Sequence, residues 1–302
     1  MQQNMPCKEI TIEEVYASDS KLKKEDVNAL LEWNDKQYHL PEITELQAAL
    51  FLHSCYYSNE AAKATIDTYF TVRTLCPDMF GSRTLNHKPL EEAINTAVLT
   101  ALPKKTPSGD TVIIGKLMDP NSAHYNPPEQ CKLFDVITLL NLHEKGPMNG
   151  VQIVIDMSQS TFGHFLKVSP VLMKKLLYYL QEGMPIRLKK IHLINIVSFV
   201  DKVLALVKPF MKKELFDSLA IHSEIKTLYT DIPQDILPAE YGGSYESCTV
   251  IQENLKNKIR DFESLLKFQE NQLVDESKRQ GATKNAEDLF GVEGSFKKLE
   301  VD

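Results

Sequence analysis

The sequence has few of the features that mark secreted or membrane-spanning proteins. Its 302 residues include five cysteines, an odd number without a C-x-x-C pair. Scattered thiols favour a reducing compartment, which predicts a cytoplasmic protein. No basic, apolar leader opens the chain, and no apolar run approaches the ~18 residues that span a bilayer. We therefore expect neither secretion nor a membrane span.

Excess positive charge is also lacking. The chain has 34 basic and 41 acidic residues and a net charge of -7, so it has no overall field that attracts nucleic acid. We expect no nucleic-acid partner, and only a local basic patch could meet an anionic surface. The hydrophobic fraction of 43% and the charged fraction of 25% are typical of a globular protein.

The common signatures of catalysis are absent. There is no G-x-S-x-G, H-E-x-x-H, Walker P-loop or G-x-G-x-x-G, and the histidines lack the spacing of a metal site. We predict no catalytic residue, metal or cofactor. Asp156 and His164 allow a hydrolase as an alternative function. In the other interpretation, Asp156 forms hydrogen bonds that cap the loop after its strand. His192 is expected to be a core histidine, and Gly242 with Gly243 a turn.

The amino-terminal part of the chain is patterned as helices. Residues 1–21 are expected to be a loose lead-in, followed by an all-helical domain over residues 22–84. Thr44 and Gln47 form a capping-box pattern, and Ser58 is placed to cap the next helix.

A second domain is predicted over residues 85–248 because strand and helix patterns alternate there. Strands are expected at Thr111–Met118, Val151–Asp156 and Ile191–Ile196, with helices between them, which is typical of an α/β fold with a mostly parallel sheet. Residues 249–302 are expected to form a helix and a polar tail.

The segment after the last predicted strand is amphipathic. Its apolar residues follow helical spacing at Val200, Val203, Leu204, Val207 and Met211. Pro209 is expected to kink or break this helix because proline lacks the backbone N–H donor.

Four blocks in this half carry a resemblance to a known family. They are GVQIVID ending at Asp156, PIRLKKIHLIN starting at Pro185, KPFM starting at Lys208 and ILPAEYGG ending at Gly243. In this order and spacing the chain resembles the CRAL-TRIO (Sec14-like) lipid-binding family, in its α-tocopherol transfer and retinaldehyde-binding branch. The resemblance covers about residues 22–248. It implies a mixed, mostly parallel sheet flanked by helices over an apolar cavity, which a helical gate closes.

The resemblance also implies which residues form the cavity and the gate. The gate, residues 199–211, would turn these side chains inward: Phe199, Val203, Leu206, Val207, Phe210 and Met211. The implied cavity lining is Phe134, Ile137, Asn141, Ile153, Ile155, Phe165, Leu176, Tyr179, Leu180, Met184, Ile186, Leu188 and Ile191. Asn141 and Tyr179 are candidates to hold a polar group of the ligand.

An anionic head-group patch is implied at Arg187, Lys189, Lys190, Lys212 and Lys213. The chain departs from the family where Glu214 and Ser218, with His53 and Cys55, stand at positions that are usually basic. Their loss removes bidentate phosphate contacts and weighs against tight phosphoinositide binding.

Two functions remain open. The first is a non-catalytic carrier that binds a small hydrophobic ligand, such as a tocopherol, retinoid or carotenoid, and delivers it to membranes. The alternative is an adaptor that presents a lipid in response to phosphoinositides. In either case we expect a monomer that contacts anionic membranes transiently.

Overall fold

The computed structural model describes residues 7–291, and the part before the first strand is helical. Its helices are α1 (Ile12–Ser18), α2 (Lys24–Asn34), α3 (Glu45–Ser54), α4 (Asn59–Leu75), α5 (Pro77–Phe80) and α6 (Lys88–Thr96). The predicted caps are confirmed. Thr44 accepts from the Gln47 amide at 3.1 Å while the Gln47 side chain accepts from the Thr44 amide at 2.9 Å. The Ser58 side chain caps α4.

The lead-in was expected to be loose, but part of it is folded. Thr11 and Glu14 form a capping box that starts α1, and Val15 is fully buried. The amide of Ile10 donates to the carbonyl of His143 at 2.7 Å. Ile12, Val15 and Tyr16 lie at helical spacing, so the apolar pattern of this short helix contained the signal. The domain boundaries themselves stay predictions.

A five-stranded sheet forms the centre of the part of the chain that follows these helices. The strands are β1 (Ala97–Ala101), β2 (Thr111–Leu117), β3 (Val151–Asp156), β4 (Leu188–Ile194) and β5 (Leu219–Ile221). Their spatial order follows the sequence; β1 is antiparallel to β2, and the other neighbours are parallel. The mixed, mostly parallel sheet is therefore confirmed. The two edge strands were missed because they are short and follow helical patterns.

The sheet separates two apolar layers. Successive strand residues point to opposite faces. On the front face, Ile153 and Ile191 join the main cluster, which continues into the amino-terminal helices. On the back face, Val154 and Ile194 pack with residues of the loops after β5. The main cluster is thus the apolar cluster that contains Ile153 and Ile191, and the front face is the face of the sheet that packs against it.

Further helices surround the sheet: α7 (Pro127–Lys145), α8 (Phe162–Lys167), α9 (Pro170–Tyr178), α10 (Val200–Val207), α11 (Lys213–Asp217), α12 (Cys248–Asp261), α13 (Glu263–Glu270) and α14 (Ala286–Phe290). A π-helical turn, Tyr179–Gly183, extends α9.

The chain after α13 returns to the amino-terminal helices. Arg279 and Lys284 both pair with Asp67 of α4, at 2.8 and 2.6 Å. Phe290 is buried beside the ring of Tyr178. The expected polar tail therefore packs on the folded chain up to residue 291. Residues 292–302 lie outside the described residues.

Candidate functional site

The gate segment, residues 199–211, lies between β4 and β5. Helix α10 ends at Val207, and a 3-10 turn over Lys208–Phe210 follows, so the predicted interruption at Pro209 is present. Four predicted inner residues pack against the main cluster: Val203, Val207, Phe210 and Met211. No side chain of α10 is fully buried. A helix with an apolar face and this little burial is weakly held.

The other two predicted gate residues lie differently. The ring of Phe199 contacts Phe162 and Phe165 of α8, with centroids 5.6 and 6.2 Å apart. Leu206 is partly buried outside the main cluster. Leu204 packs against that cluster although we did not place it on the inner face. It follows Val200 by four residues, so the apolar spacing contained the signal.

Most of the predicted lining belongs to the main cluster, against which the gate segment also packs. Members of the main cluster, or residues packed against it, are Phe134, Ile153, Leu176, Tyr179, Leu180, Met184, Ile186, Leu188 and Ile191. Phe165 contacts Phe199, as described above. Ile137 lies in a separate cluster with Leu90. Asn141 is buried and donates to the sulfur of Met148 at 3.3 Å, beside a pocket bordered by α12.

One lining residue is unexpectedly open. Ile155 lies on β3, the central strand, and shares the front face with Ile153, yet 40% of its surface is exposed. A central parallel strand is normally covered on both faces. Ile221 of β5, 46% exposed, is one strand beyond Leu193, the partner of Ile155. The front face is therefore incompletely covered at the carboxyl ends of the strands.

Tyr179 takes part in a buried ionic cluster. Its hydroxyl donates to Asp135 at 2.6 Å, and Arg73 donates to the other carboxylate oxygen at 2.8 Å, where Arg83 also binds. Burial opposes ionisation of Asp135, but the two guanidiniums outweigh it and hold its pKa below the usual value. The Tyr179 hydroxyl thus already has a strong partner within the chain.

The predicted head-group residue Arg187 has a structural role. It donates twice to the carbonyl of His53, once from Nε at 2.9 Å, and its guanidinium lies 4.3 Å from the ring of Tyr56. It also faces Tyr57 at 5.3 Å. Arg187, which directly precedes β4, therefore caps the end of α3 from 134 positions away along the chain.

The remaining basic residues are divided. Lys189 donates to the Tyr56 hydroxyl at 3.1 Å, Lys212 pairs with Glu182, and Lys213 pairs with Asp217. Lys190 follows Lys189 along β4 and so points to the opposite face of the sheet, where it pairs with Asp231 at 2.8 Å. Arg187, Lys189 and Lys212 border one groove of about 290 Å³, which Glu214 and Ser218 also line.

The two residues of the hydrolase alternative have separate hydrogen-bond partners. Asp156 accepts from Tyr241 at 2.7 Å, from Asn195 at 2.9 Å and from the Ser158 amide at 2.9 Å. The Nδ1 atom of His164 accepts from the amide of Thr161 at 3.0 Å. No hydrogen bond joins Asp156 to His164 among residues 7–291. The capping interpretation of Asp156 is confirmed.

Across residues 7–291, no helix combines the length and apolar character needed to cross a membrane. Within the same range, no group of three or more histidine, cysteine or acidic residues is arranged to hold a metal ion.

The mixed sheet, its amino-terminal helical part and the helical segment between the last two strands together form the α/β fold of the CRAL-TRIO domain. Residues 95–243 match the family model for the CRAL/TRIO domain, and this part of the chain belongs to that family. Residues 19–90 match the model for a Pinta-like UBA domain.

Among curated proteins, the chain is similar to alpha-tocopherol transfer protein-like of Mus musculus and of Homo sapiens. Both are 29% identical, over 226 and 228 residues, which is 72% of this chain. The matches span 64% and 65% of those proteins, slightly under two thirds of their length. Clavesin-2 of Homo sapiens is 29% identical over 97 residues, covering 32% of this chain and 30% of that protein.

A crystal structure of Sfh5 also aligns with the chain. Its TM-score is 0.45 with 12% sequence identity, and the alignment covers 85% of this chain and 96% of the other.

Proposed function

We propose that this protein is a non-catalytic carrier that binds one small hydrophobic ligand under the gate segment and delivers it to membranes. The observation that supports this most strongly is the exposed Ile155 on the front face of the central strand. An apolar surface that is exposed in a folded protein favours the binding of an apolar ligand. Removing apolar area from water contributes about 25 cal/mol per Å² to the binding free energy.

The cavity wall in this proposal consists of the predicted lining residues on or beside the main cluster. Ile137 and Asn141 are left out because they face other surroundings. Tyr179 contributes its ring to the wall, while its hydroxyl stays on Asp135. An aliphatic and aromatic wall selects ligands by shape and area.

Membrane contact would open the gate. Phe162 and Leu166 of α8 are exposed, the latter by 69%, and the Nζ atom of Lys202 lies 4.9 Å from the ring centroid of Phe162. Ile196, before the gate segment, is exposed as well. Apolar residues with a nearby lysine suit insertion at an anionic interface. The inner face of α10 can then turn from the main cluster to the bilayer.

The names of the relatives support one ligand class. The two similar proteins named above are called alpha-tocopherol transfer protein-like, which supports a tocopherol or another isoprenoid lipid as cargo. We propose a cytoplasmic monomer that associates with membranes only during transfer.

A vesicle-transfer experiment tests the carrier function. The full chain is loaded with a fluorescent tocopherol analogue and mixed with acceptor vesicles. Val207→Asp or Met211→Asp should slow transfer, because a charge on the inner face disfavours both closed and inserted states. Leu273→Asp is the matched control, since Leu273 is exposed and distant in sequence from the gate segment. Equal transfer by all variants would refute the gate assignment.

We propose a weaker role for the alternative, an adaptor function through phosphoinositides. The groove beside Arg187 supports it, but the ion pairs of Lys190, Lys212 and Lys213 reduce the charge offered. Free lysines near an anionic membrane contribute about 1 kcal/mol each. Lys189→Glu should weaken binding to phosphatidylserine and phosphoinositide vesicles alike, whereas Lys24→Glu should not. A loss confined to phosphoinositide vesicles would favour the adaptor.

A further inference from the structure

Two buried histidines connect the strands on either side of the gate segment. His192 lies on β4, which precedes the gate segment, and His222 directly follows β5. The Nδ1 atom of His192 and the Nε2 atom of His222 are 2.9 Å apart, and the rings are stacked with centroids 5.2 Å apart. Both side chains are buried on the back face. The carrier mechanism above makes no use of either ring.

Each ring also has a fixed outer partner. His192 Nε2 lies 2.9 Å from the Gln152 carbonyl oxygen, and the Gln152 amide donates to Asp110 at 2.8 Å. His222 Nδ1 lies 2.7 Å from the Thr227 hydroxyl. Because the Gln152 oxygen only accepts, His192 Nε2 carries a proton. In the neutral pair, His192 Nδ1 then accepts from His222 Nε2, and His222 Nδ1 accepts from Thr227.

One added proton fits this arrangement. His222 Nδ1–H can donate to Thr227, whose hydroxyl also lies 2.7 Å from the Glu224 carbonyl and can donate there. Every bond is then kept. A second proton does not fit, because two N–H groups would face each other across the 2.9 Å between the rings.

We propose that His192 and His222 form a proton-sensitive latch between β4 and β5, the strands that flank the gate segment. The latch is closed when the pair carries at most one added proton, and it opens when both rings are protonated. The proposal rests on the carrier function, since it describes how the gate is regulated. β5 is an edge strand of three residues, held at this end by the His222 amide, which donates to Leu193 at 2.9 Å. Opening the latch removes the side-chain contact that joins the end of this short strand to β4, which loosens the strand and the segment before it.

The surrounding charges do not cancel the effect. Asp231 and Lys190 face both rings from the loop after Ile225–Thr230 and from β4, and they pair with each other at 2.8 Å. Asp110 reaches His192 only through Gln152. Burial, with the neighbouring His222, lowers the pKa of His192 to about 4, and burial also lowers that of His222.

The sign of the pH dependence follows from this. A solvated histidine titrates near pH 6.5, so the open latch binds protons that the closed latch excludes as the pH falls below that value. Each excluded proton shifts the equilibrium toward the open form roughly tenfold between about pH 7.5 and about pH 5.5. The latch is therefore closed at neutral pH and loosens in acid.

Hydrogen exchange on the full chain, without cargo, tests the latch. Amides of residues 219–222 and of α10 are compared with those of α4 in the same sample, which corrects for intrinsic exchange and for global unfolding. We expect their relative protection to fall roughly tenfold between about pH 7.5 and about pH 5.5. His222→Gln, which cannot titrate, should remove most of this dependence, and His124→Gln, at an exposed site, should keep it.

Constant relative protection in the unmodified chain would overturn the proposal, as would an equal loss in α4. If His222→Gln does not fold, NMR titration of the unmodified chain decides. Both ring signals should move together as the residue 219–222 amides lose protection; neutral rings in an unprotected strand would contradict the latch. Because the readout needs no cargo, a failed latch and a failed carrier function remain distinguishable.

Discussion

The side chain of Gln181 holds the end of the gate segment by two hydrogen bonds around Phe210. Its Nε2 atom donates to the Phe210 carbonyl at 3.0 Å, and its Oε1 atom accepts from the amide of Lys212 at 2.7 Å. Gln181 lies in the π-helical turn after α9. Such turns often occur at functional sites because they re-aim a side chain. The end of the gate segment is thus fastened to the turn that extends α9.

Replacing Gln181 by leucine should loosen the gate. Each hydrogen bond contributes about 0.5–1.5 kcal/mol, so the loss of both raises the open population roughly tenfold or more. The measurement is the release rate of a fluorescent lipid from the loaded chain. Gln37→Leu is the control, because the Gln37 side chain donates to the nearby Trp33 carbonyl within its own helical end. An unchanged release rate would show that Gln181 does not restrain the gate.

Asp135→Asn should destabilise the whole chain strongly. It leaves Arg73 and Arg83 buried without a counter-charge, and breaking a buried pair in this way costs about 3–5 kcal/mol. Tyr179→Phe removes one hydrogen bond to a charged group and should cost about 1.5–3 kcal/mol. Urea unfolding measures both. A larger loss for Tyr179→Phe than for Asp135→Asn would contradict this ranking.

The same carboxylate predicts part of the acid response. The pKa of Asp135 is lower in the folded chain than its usual value, so its contribution is complete above the unfolded pKa of about 3.9 and is lost as the pH falls toward the folded pKa. Stability plotted against pH should therefore fall below about pH 4. In Asp135→Asn this part of the slope should be smaller; an identical slope would assign it to other carboxylates.

Arg187→Lys should lower stability more than lipid binding. Lysine can neither donate twice in the fork geometry of arginine nor stack as well between Tyr56 and Tyr57. We expect a loss of about 1–2 kcal/mol in the free energy of unfolding. Vesicle binding, measured well below the melting temperature, should change little. A selective loss of phosphoinositide binding would instead return Arg187 to the head-group patch.

Local patterns predicted the elements whose partners are close in sequence. The capping residues Thr44 and Ser58 and the central strands β2 and β3 follow directly from side-chain chemistry and periodicity. β5 has only three residues, and it is a strand because β4 lies beside it. A segment this short has no residue pattern of its own from which the pairing could be predicted.

The site was predictable to the extent that it follows periodicity. The apolar stripe of α10 contains Val203, Leu204 and Val207, and all three pack against the main cluster. The bond from Arg187 to His53 joins residues 134 positions apart, so no spacing rule could reveal it. Lys189 and Lys190 are neighbours on β4, so alternation separates their side chains, but the pairing of Lys190 with Asp231, 41 positions away, follows from no spacing rule.

Native mass spectrometry of the full chain tests the central claim most directly. The protein is incubated with vesicles that contain tocopherol, retinoid and carotenoid lipids and is then separated from them. The carrier account predicts one bound lipid per chain, and less of it in Val207→Asp. A chain that retains only its own mass after every incubation would contradict the account.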